Sequence, residues 1–181
     1  MTVLIKELMI PITEYVSVGL ENSLYDYFKI LDDDKVTKDK GHSHRDALVF
    51  DDNGTIMGKV TMMDVFLALE PGYKSLLDSL SPGSILTPEY MANQFKENDI
   101  WGEPLDNYCQ KAAMLKIKDI MHEPKEDEYV EADRSIGSAL NRYVAGIHQP
   151  LLVREGGKVV GVLRYGDVFG KIKELTLACS I

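Results

Sequence analysis

Asp46-Ala-Leu-Val-Phe-Asp-Asp-Asn-Gly-Thr-Ile-Met-Gly-Lys-Val-Thr-Met-Met-Asp-Val-Phe66 returns later in the chain as Gln149-Pro-Leu-Leu-Val-Arg-Glu-Gly-Gly-Lys-Val-Val-Gly-Val-Leu-Arg-Tyr-Gly-Asp-Val-Phe169. The two stretches align without a gap. Leu48 stands opposite Leu151, Gly54 opposite Gly157, Gly58 opposite Gly161 and Asp64 opposite Asp167. Such self-similarity is the mark of a repeat architecture and is read before any single motif. Upstream, Lys6-Glu-Leu-Met9 resembles Lys118-Asp-Ile-Met121, and Ser23-Leu24 resembles Ser135-Ile136. The spacing between these blocks is longer in the first copy. Its extra residues fall in Leu31 to Ser43, a charged stretch that reads as a surface loop.

Both copies carry the same local signals. An extended piece is expected at Tyr15 to Val18 and at Tyr129 to Ala132. A helix follows, with Ser23 or Ser135 as N-cap, because a serine hydroxyl can accept an orphan backbone N–H. Leu24, Phe28 and Leu31 are spaced for one helix face, as are Ile136, Ala139, Leu140 and Tyr143. Two strands then meet at Asp52-Asn53-Gly54 or Glu155-Gly156-Gly157, where asparagine and glycine supply the positive φ of a tight hairpin. The second strand runs into a further helix near Asp64 or Asp167. Each copy is therefore β-α-β-β-α, about 60 residues, too small to bury a core alone, so the copies are expected to pack on each other.

The reading is α/β (α+β): two tandem repeats, at 1–70 and 116–181, packed pseudo-symmetrically, with a helical insert at 71–115. The insert, Pro71 to Leu115, is too long for a bare loop. It offers helices at Tyr73 to Leu80, Pro88 to Phe95 and Leu105 to Met114, punctuated by Gly72, Pro82-Gly83 and Gly102, and it holds the single tryptophan, Trp101.

Composition narrows the function. The chain has 181 residues, 29 acidic against 20 basic, for a net charge of −9. Phosphate-backbone binding needs a basic footprint, so nucleic acid is not the expected partner. Cys109 and Cys179 form no paired motif, which predicts reduced thiols and a cytoplasmic setting. No apolar run approaches the ~18 residues of a membrane span. The first eleven residues carry Lys6 and Glu7 inside their apolar stretch and predict no signal peptide. No GxxxxGK[ST], GxSxG, HExxH or GxGxxG pattern occurs, so no catalytic set emerges and the chain is not read as an enzyme.

The ordered set Lys118-Asp-Ile-Met121, Asp133-Arg-Ser-Ile136, Gly146-Ile-His-Gln-Pro-Leu-Leu-Val153 and Gly157-Lys-Val-Val-Gly-Val-Leu-Arg-Tyr-Gly-Asp-Val168 resembles the cystathionine-β-synthase (CBS) domain, and its duplication resembles the CBS pair, or Bateman module. The first copy matches best from Leu48 to Phe66. The resemblance implies a regulatory sensor that binds AMP, ADP, ATP or S-adenosylmethionine between the repeats. It also implies a homodimer and an unidentified regulated protein, with no cofactor required. The family's ligand motif is Gly-x-x-Thr/Ser-x-x-Asp. Gly58-Lys-Val-Thr61-Met-Met-Asp64 fits it, whereas Gly161-Val-Leu-Arg164-Tyr-Gly-Asp167 has arginine at the hydroxyl position. The resemblance gives Asp64 and Asp167 to ribose hydroxyls. Thr61, Arg164 and His148 would face phosphate, with Gly58, Lys59 and Pro150 completing the set. The departure at Arg164 leaves a ligand-free structural or protein-interaction module as the alternative.

Each candidate also has a plain structural reading. Thr61-x-x-Asp64 has the spacing of a helix capping box. His148 lies beside a strand-starting proline. Lys59 and Arg164 either offer charge to a phosphate or are solvated. His42-x-His44 lacks a fixed third metal ligand and reads as a charged loop. Asp32-Asp33-Asp34 lacks the glycine and terminal glutamate of a calcium loop. The acidic run Lys125 to Asp133 reads as an exposed face, and the methionines, Met62 and Met63 included, as core filler.

Overall fold

A computed structural model describes residues 2–37, 44–70, 72, 87–97, 102 and 104–179. The chain divides into two compact units, Val18–His122 on one side and Met1–Ser17 with Glu123–Ile181 on the other. This division does not follow the repeat boundaries expected from sequence. The entry segment of each copy, Lys6–Met9 or Lys118–Met121, is built into the unit that carries the other copy's hairpin.

In the unit Val18–His122, strands β2 (Ser17–Gly19), β3 (Ala47–Phe50) and β4 (Ile56–Val60) form one sheet in the order β2-β3-β4. β3 and β4 are the expected hairpin, antiparallel with Ala47 opposite Val60. Gly54 takes φ +77°, where a side chain would be strained. Asp51 organises this turn: its Oδ1 accepts from the N–H groups of Asn53 (2.9 Å) and Thr55 (2.7 Å). Helix α1 (Leu24–Thr37) begins at a capping box in which Ser23 Oγ accepts from Asp26 N–H and Asp26 Oδ2 accepts from Ser23 N–H. The buried face of α1 runs through Leu24, Tyr27 and Leu31, not Phe28, which is exposed. A residue three positions on shares the face as well as one four on, and Tyr27 is held there by a hydrogen bond from its hydroxyl to Arg45 O at 3.1 Å.

Helix α1 also continues to Thr37, so much of the expected loop at 31–43 is helical. Helices α2 (Met62–Leu69), α3 (Pro88–Glu97) and α4 (Leu105–Ala113) follow. The last two realise the helices expected in the insert; the one expected at Tyr73 to Leu80, and Trp101, lie outside the described residues. Tyr108 and Ala112 of α4 are buried, and α4 packs on α1 and α2. The short α5 (Ile117–Ile120) then carries the second copy's entry peptide along this sheet, with Ile117 fully buried. Its backbone is tied down by Ile117 N–H to Asn22 O and by a reciprocal pair between Lys59 and His122.

In the other unit the sheet order is β1 (Ile10–Pro11), β7 (Lys158–Leu163), β6 (Leu151–Glu155), β5 (Tyr129–Glu131). β5 runs parallel to β6, as a strand–helix–strand crossover requires, and α6 (Ile136–Val144) is that crossover. β6 and β7 form the second hairpin, with Gly156 and Gly157 both at positive φ. β1 pairs antiparallel with β7, Ile10 opposite Val162. Ile5 joins Val130, Ala139, Leu151, Val153, Leu163 and Val168 in a single core, so the first residues of the chain complete the second repeat. Burying each large aliphatic side chain there is worth roughly 1.5–3 kcal/mol.

Ser135 occupies the N-cap of α6, but its hydroxyl makes no cap bond. Ser138 stands where the first copy has Asp26, so no carboxylate is there to close the box, and Ser138 Oγ instead accepts from Arg142. Glu128 departs from its acidic run: it is buried, and its Oε1 accepts from Lys125 N–H at 3.0 Å. Met62 and Met63 are exposed, not core. No helix among the described residues is long and apolar enough to cross a membrane.

Candidate functional site

The candidate residues sit at two strand-to-helix junctions, one in each unit. In the first, β4 ends at Val60 and Thr61 turns the chain into α2 with extended dihedrals, φ −118° and ψ 170°. The capping box expected from the spacing is present. Thr61 N–H and Thr61 Oγ1–H both donate to Asp64 Oδ2, at 2.8 and 2.6 Å, and Asp64 N–H donates to Thr61 Oγ1 at 3.4 Å. Both bonds from Thr61 fall on the same carboxylate oxygen. The box holds an anion at the positive end of the helix, where the dipole favours it.

Gly58 has a packing explanation of its own. A Cβ there would stand 2.9 Å from His122 O and 2.9 Å from Met121 Sδ. The entry peptide of the second copy lies directly on this strand, and the glycine admits its backbone. Lys59 is fully buried in β4, with its backbone N–H and C=O both bonded to His122. A ring nitrogen of His122 lies within 4.8 Å of an Asp64 carboxylate oxygen. His122 was not among the residues singled out from sequence; its signal is its place directly after the entry motif, where the first copy has Ile10.

Below this junction the Tyr27 hydroxyl is buried. Burial first, and then the charges of Asp46 and Asp64, hold its phenol far above the ordinary range, so it stays neutral. Tyr143 has the same role in the other unit. Its hydroxyl donates to Leu163 O at 3.4 Å, and burial followed by the charge of Asp167 raises its pKa in the same way.

The second junction has the same backbone and different side-chain chemistry. Arg164 ends β7 at φ −106° and ψ 157° and is the N-cap of α7 (Tyr165–Ala178), with no side-chain cap bond. Its guanidinium grips Asp167 with both prongs, Nε to Oδ2 and Nη2 to Oδ1, each 2.9 Å. The two side chains are only 18% and 17% exposed. This is the bidentate geometry in which charge-assisted hydrogen bonds are strongest. Gly161 matches Gly58: a Cβ would stand 2.7 Å from Ile10 O and 2.9 Å from Met9 Sδ.

In the same unit His148 Nδ1 lies 4.0 Å from Glu128 Oε2, and the Glu128 side chain is almost wholly buried. Pro150, buried, leads β6. Gln149 Oε1 is buried without a hydrogen-bond partner among the described residues. Glu128 was missed in the sequence because an acidic run looks solvated whichever of its members turns inward. A groove of about 1040 Å³ in this unit runs past Glu126, Tyr129, Glu131, Arg134, Asn141 and Arg142, and none of the candidate residues lines it. Of the two histidines expected in a charged loop, His42 lies outside the described residues, and His44 is buried, 3.8 Å from Asp34.

No family model and no curated protein matches the chain. Solved structures do. CBSX2, a CBS-pair protein from Arabidopsis thaliana, is 18% identical and superposes with a TM-score of 0.61 over 99% of this chain and 100% of its own. A structure of CBSX2 in complex with AMP is 19% identical, with a TM-score of 0.58 over 96% and 98%. The CBS domain of a bacterial CNNM/CorC family Mg²⁺ transporter, in complex with ATP, is 17% identical, with a TM-score of 0.56 over 94% and 87%.

Proposed function

From a chain that has the fold of a CBS-domain pair, we propose a regulatory, ligand-sensing module that binds an adenosine-containing small molecule: AMP, ADP, ATP or S-adenosylmethionine. The observation that carries the reading is the Thr61–Asp64 junction. An ionised carboxylate is an acceptor-only group and matches the two donors of a ribose diol. The start of α2 adds backbone N–H groups and a positive dipole end, which suit phosphate. Asp64 would take the ribose, and Thr61, with the backbone after Gly58, would lie toward the phosphate. Lys59, buried behind the junction, would act as a fixed charge rather than a mobile clamp. His148, Pro150, Arg164 and Asp167 are the corresponding candidates in the other unit. The complexes of related folds with AMP and ATP support this ligand class.

The module would act on a regulated protein by favouring one conformation when loaded, since a ligand shifts an equilibrium only through its differential affinity. We place it in the cytoplasm, in keeping with two exposed, free cysteines. Assembly as a homodimer is supported by the exposed row Tyr165, Phe169 and Ile172 on α7, and separately by Met62 and Phe66 on α2. Exposed apolar rows of this kind mark interaction surfaces. A mass twice that of the chain in light scattering, reduced to one chain by Phe169→Glu, is the expected result.

The deciding experiment is calorimetric titration with AMP, ADP, ATP and S-adenosylmethionine, paired with thermal unfolding. A ligand at 100 times its dissociation constant raises native-state stability by about 2.7 kcal/mol. Binding below millimolar that is lost in Asp64→Ala supports the reading. No heat and no thermal shift with any of the four rejects it in favour of a ligand-free interaction module, a reading the closed Arg164–Asp167 pair favours for the second junction.

A further inference from the structure

We infer that the groove beside β5 docks an extended peptide segment of the regulated protein, added as a strand to the free edge of β5. This deepens the reading above that the module acts on another protein, and rests on it. β5 is the last strand of its sheet and pairs with β6. Its register, with Ala132 N–H on Arg154 O, turns the N–H and C=O of Val130 toward β6 and those of Tyr129 and Glu131 away. Two of the outward groups are satisfied locally. Tyr129 N–H donates to Glu126 O, and Glu131 O accepts from Arg134 N–H at 3.1 Å. Tyr129 O and Glu131 N–H make no hydrogen bond among the described residues. An acceptor and a donor so placed on either side of Val130 are what a single residue of an added parallel strand bonds, through its own N–H and C=O.

The groove of about 1040 Å³ is lined by Tyr129 and Glu131 from β5 and by Ser138, Asn141 and Arg142 from α6. Parts of its wall are already fixed. The Arg154 guanidinium stacks 3.4 Å from the centre of the Tyr129 ring and bonds Glu126 at 2.7 Å. Arg142 donates to Asp127 O and to Ser138 Oγ. Groups held before binding lose little freedom on binding. The remaining charges are not held. Asp127, Glu131 and Arg134 line the same groove, and none of their side chains is in an ion pair among the described residues. A small anion or cation would answer one sign of charge and neither backbone group. An extended peptide answers both: its main chain bonds the edge, a basic side chain lies toward Asp127 and Glu131, and an acidic one lies toward Arg134.

The test is selection of phage-displayed random octapeptides on the full chain, followed by NMR titration of the chain with the peptides that emerge. The selected peptides are expected to share one basic and one acidic residue at a fixed separation, and to shift the Val130, Glu131 and Asn141 amide signals. Glu131→Pro removes the edge donor, and proline is tolerated on an edge strand where its N–H would face outward. It should weaken binding by about tenfold or more. Glu131→Gln keeps the N–H and should lose less. Selection on Arg134→Glu, a change at an exposed side chain, should put a basic residue where wild type selects an acidic one. No binder, binders without the charge pattern, shifts confined to other surfaces, or equal binding by wild type and Glu131→Pro overturns the inference. An AMP titration of the same protein judges the ligand reading separately, because the groove holds none of the residues assigned to the nucleotide. AMP binding without peptide binding sinks the groove alone, and peptide binding without AMP binding sinks the ligand reading alone.

Discussion

Gly161 lies against the carbonyl oxygen of Ile10, with 2.7 Å between that oxygen and the place a Cβ would occupy. The entry peptide of the first copy is thereby seated on the last strand of the second. The reverse contact, Gly58 against His122 O, seats the second copy's entry peptide on the first copy's sheet. Two glycines at matching positions of the repeat thus do the same job, one in each unit.

Gly161→Ala and Gly58→Ala should each destabilise the protein by about 1–3 kcal/mol, because the obstacle is backbone and gives way only if the strand moves. Gly170→Ala is the contrasting substitution. Gly170 lies in the middle of α7 with nothing within 4 Å of the place a Cβ would take, and alanine there should stabilise by roughly 0.5–1 kcal/mol. Urea unfolding midpoints should move in opposite directions. A neutral Gly161→Ala would show that the entry peptide is not held against β7.

Ile5→Ala should cost about 2–5 kcal/mol, as a fully buried aliphatic side chain is removed from the core with Leu151, Val153 and Leu163. Hydrogen exchange should quicken in β6 and β7, more than a hundred residues away in sequence. Faster exchange in β3 and β4 alone would contradict the assignment of Ile5 to this core.

Thr61→Ala should cost about 1 kcal/mol through loss of the helix cap, and Thr61→Ser should restore most of it, because serine keeps the hydroxyl that bonds Asp64. Thermal unfolding of the three proteins side by side is the check. Equal stability of all three would mean the box contributes nothing to α2.

Acid should weaken the unit Val18–His122 through Asp26 and Asp51. Hydrogen bonds from the Ser23 hydroxyl and backbone hold the Asp26 carboxyl below its ordinary value, and those from the Thr55 backbone, then Asn53, do the same for Asp51. A carboxylate whose folded pKa is depressed contributes stability that is complete above its unfolded value, about 3.9, and is lost as pH falls through the folded value. The unfolding midpoint should therefore be level from pH 7 to about 5 and fall below pH ~4. Asp51→Asn should flatten that fall; an unchanged slope would remove Asp51 from the account.

Much of the fold is legible because it is local. The hairpins follow from Asn53-Gly54 and Gly156-Gly157, where Gly54, Gly156 and Gly157 take the positive φ that turn chemistry expects. The junction helices follow from Thr61 and Asp64, whose spacing is itself a cap. Other features are not local. Tyr27, not Phe28, is buried because a carbonyl at Arg45 waits for its hydroxyl. Glu128 is buried inside a run that reads as solvated, because the backbone at Lys125 supplies a donor for it. Arg164 reads as a cation for phosphate, yet its spacing of three from Asp167 also permits the ion pair the structure contains.

By itself, then, the sequence determined a duplicated β-α-β-β-α unit, its turns, the caps at Ser23 and Thr61 and the two aspartates that open matching helices. Periodicity, turn residues and capping spacing are short-range physics, and they act the same way wherever the segment is placed. Only the tertiary structure decided which entry peptide completes which sheet. Lys6-Glu-Leu-Met9 and Lys118-Asp-Ile-Met121 are nearly the same peptide, so neither sheet can choose between them by composition. The choice falls to the packed state, in which Met9 fills the space beside Gly161 and Met121 the space beside Gly58, with Ile5 and Ile117 fully buried. The same packed state closed the Arg164 guanidinium onto Asp167, where the first copy's Asp64 accepts from the N–H and hydroxyl of Thr61.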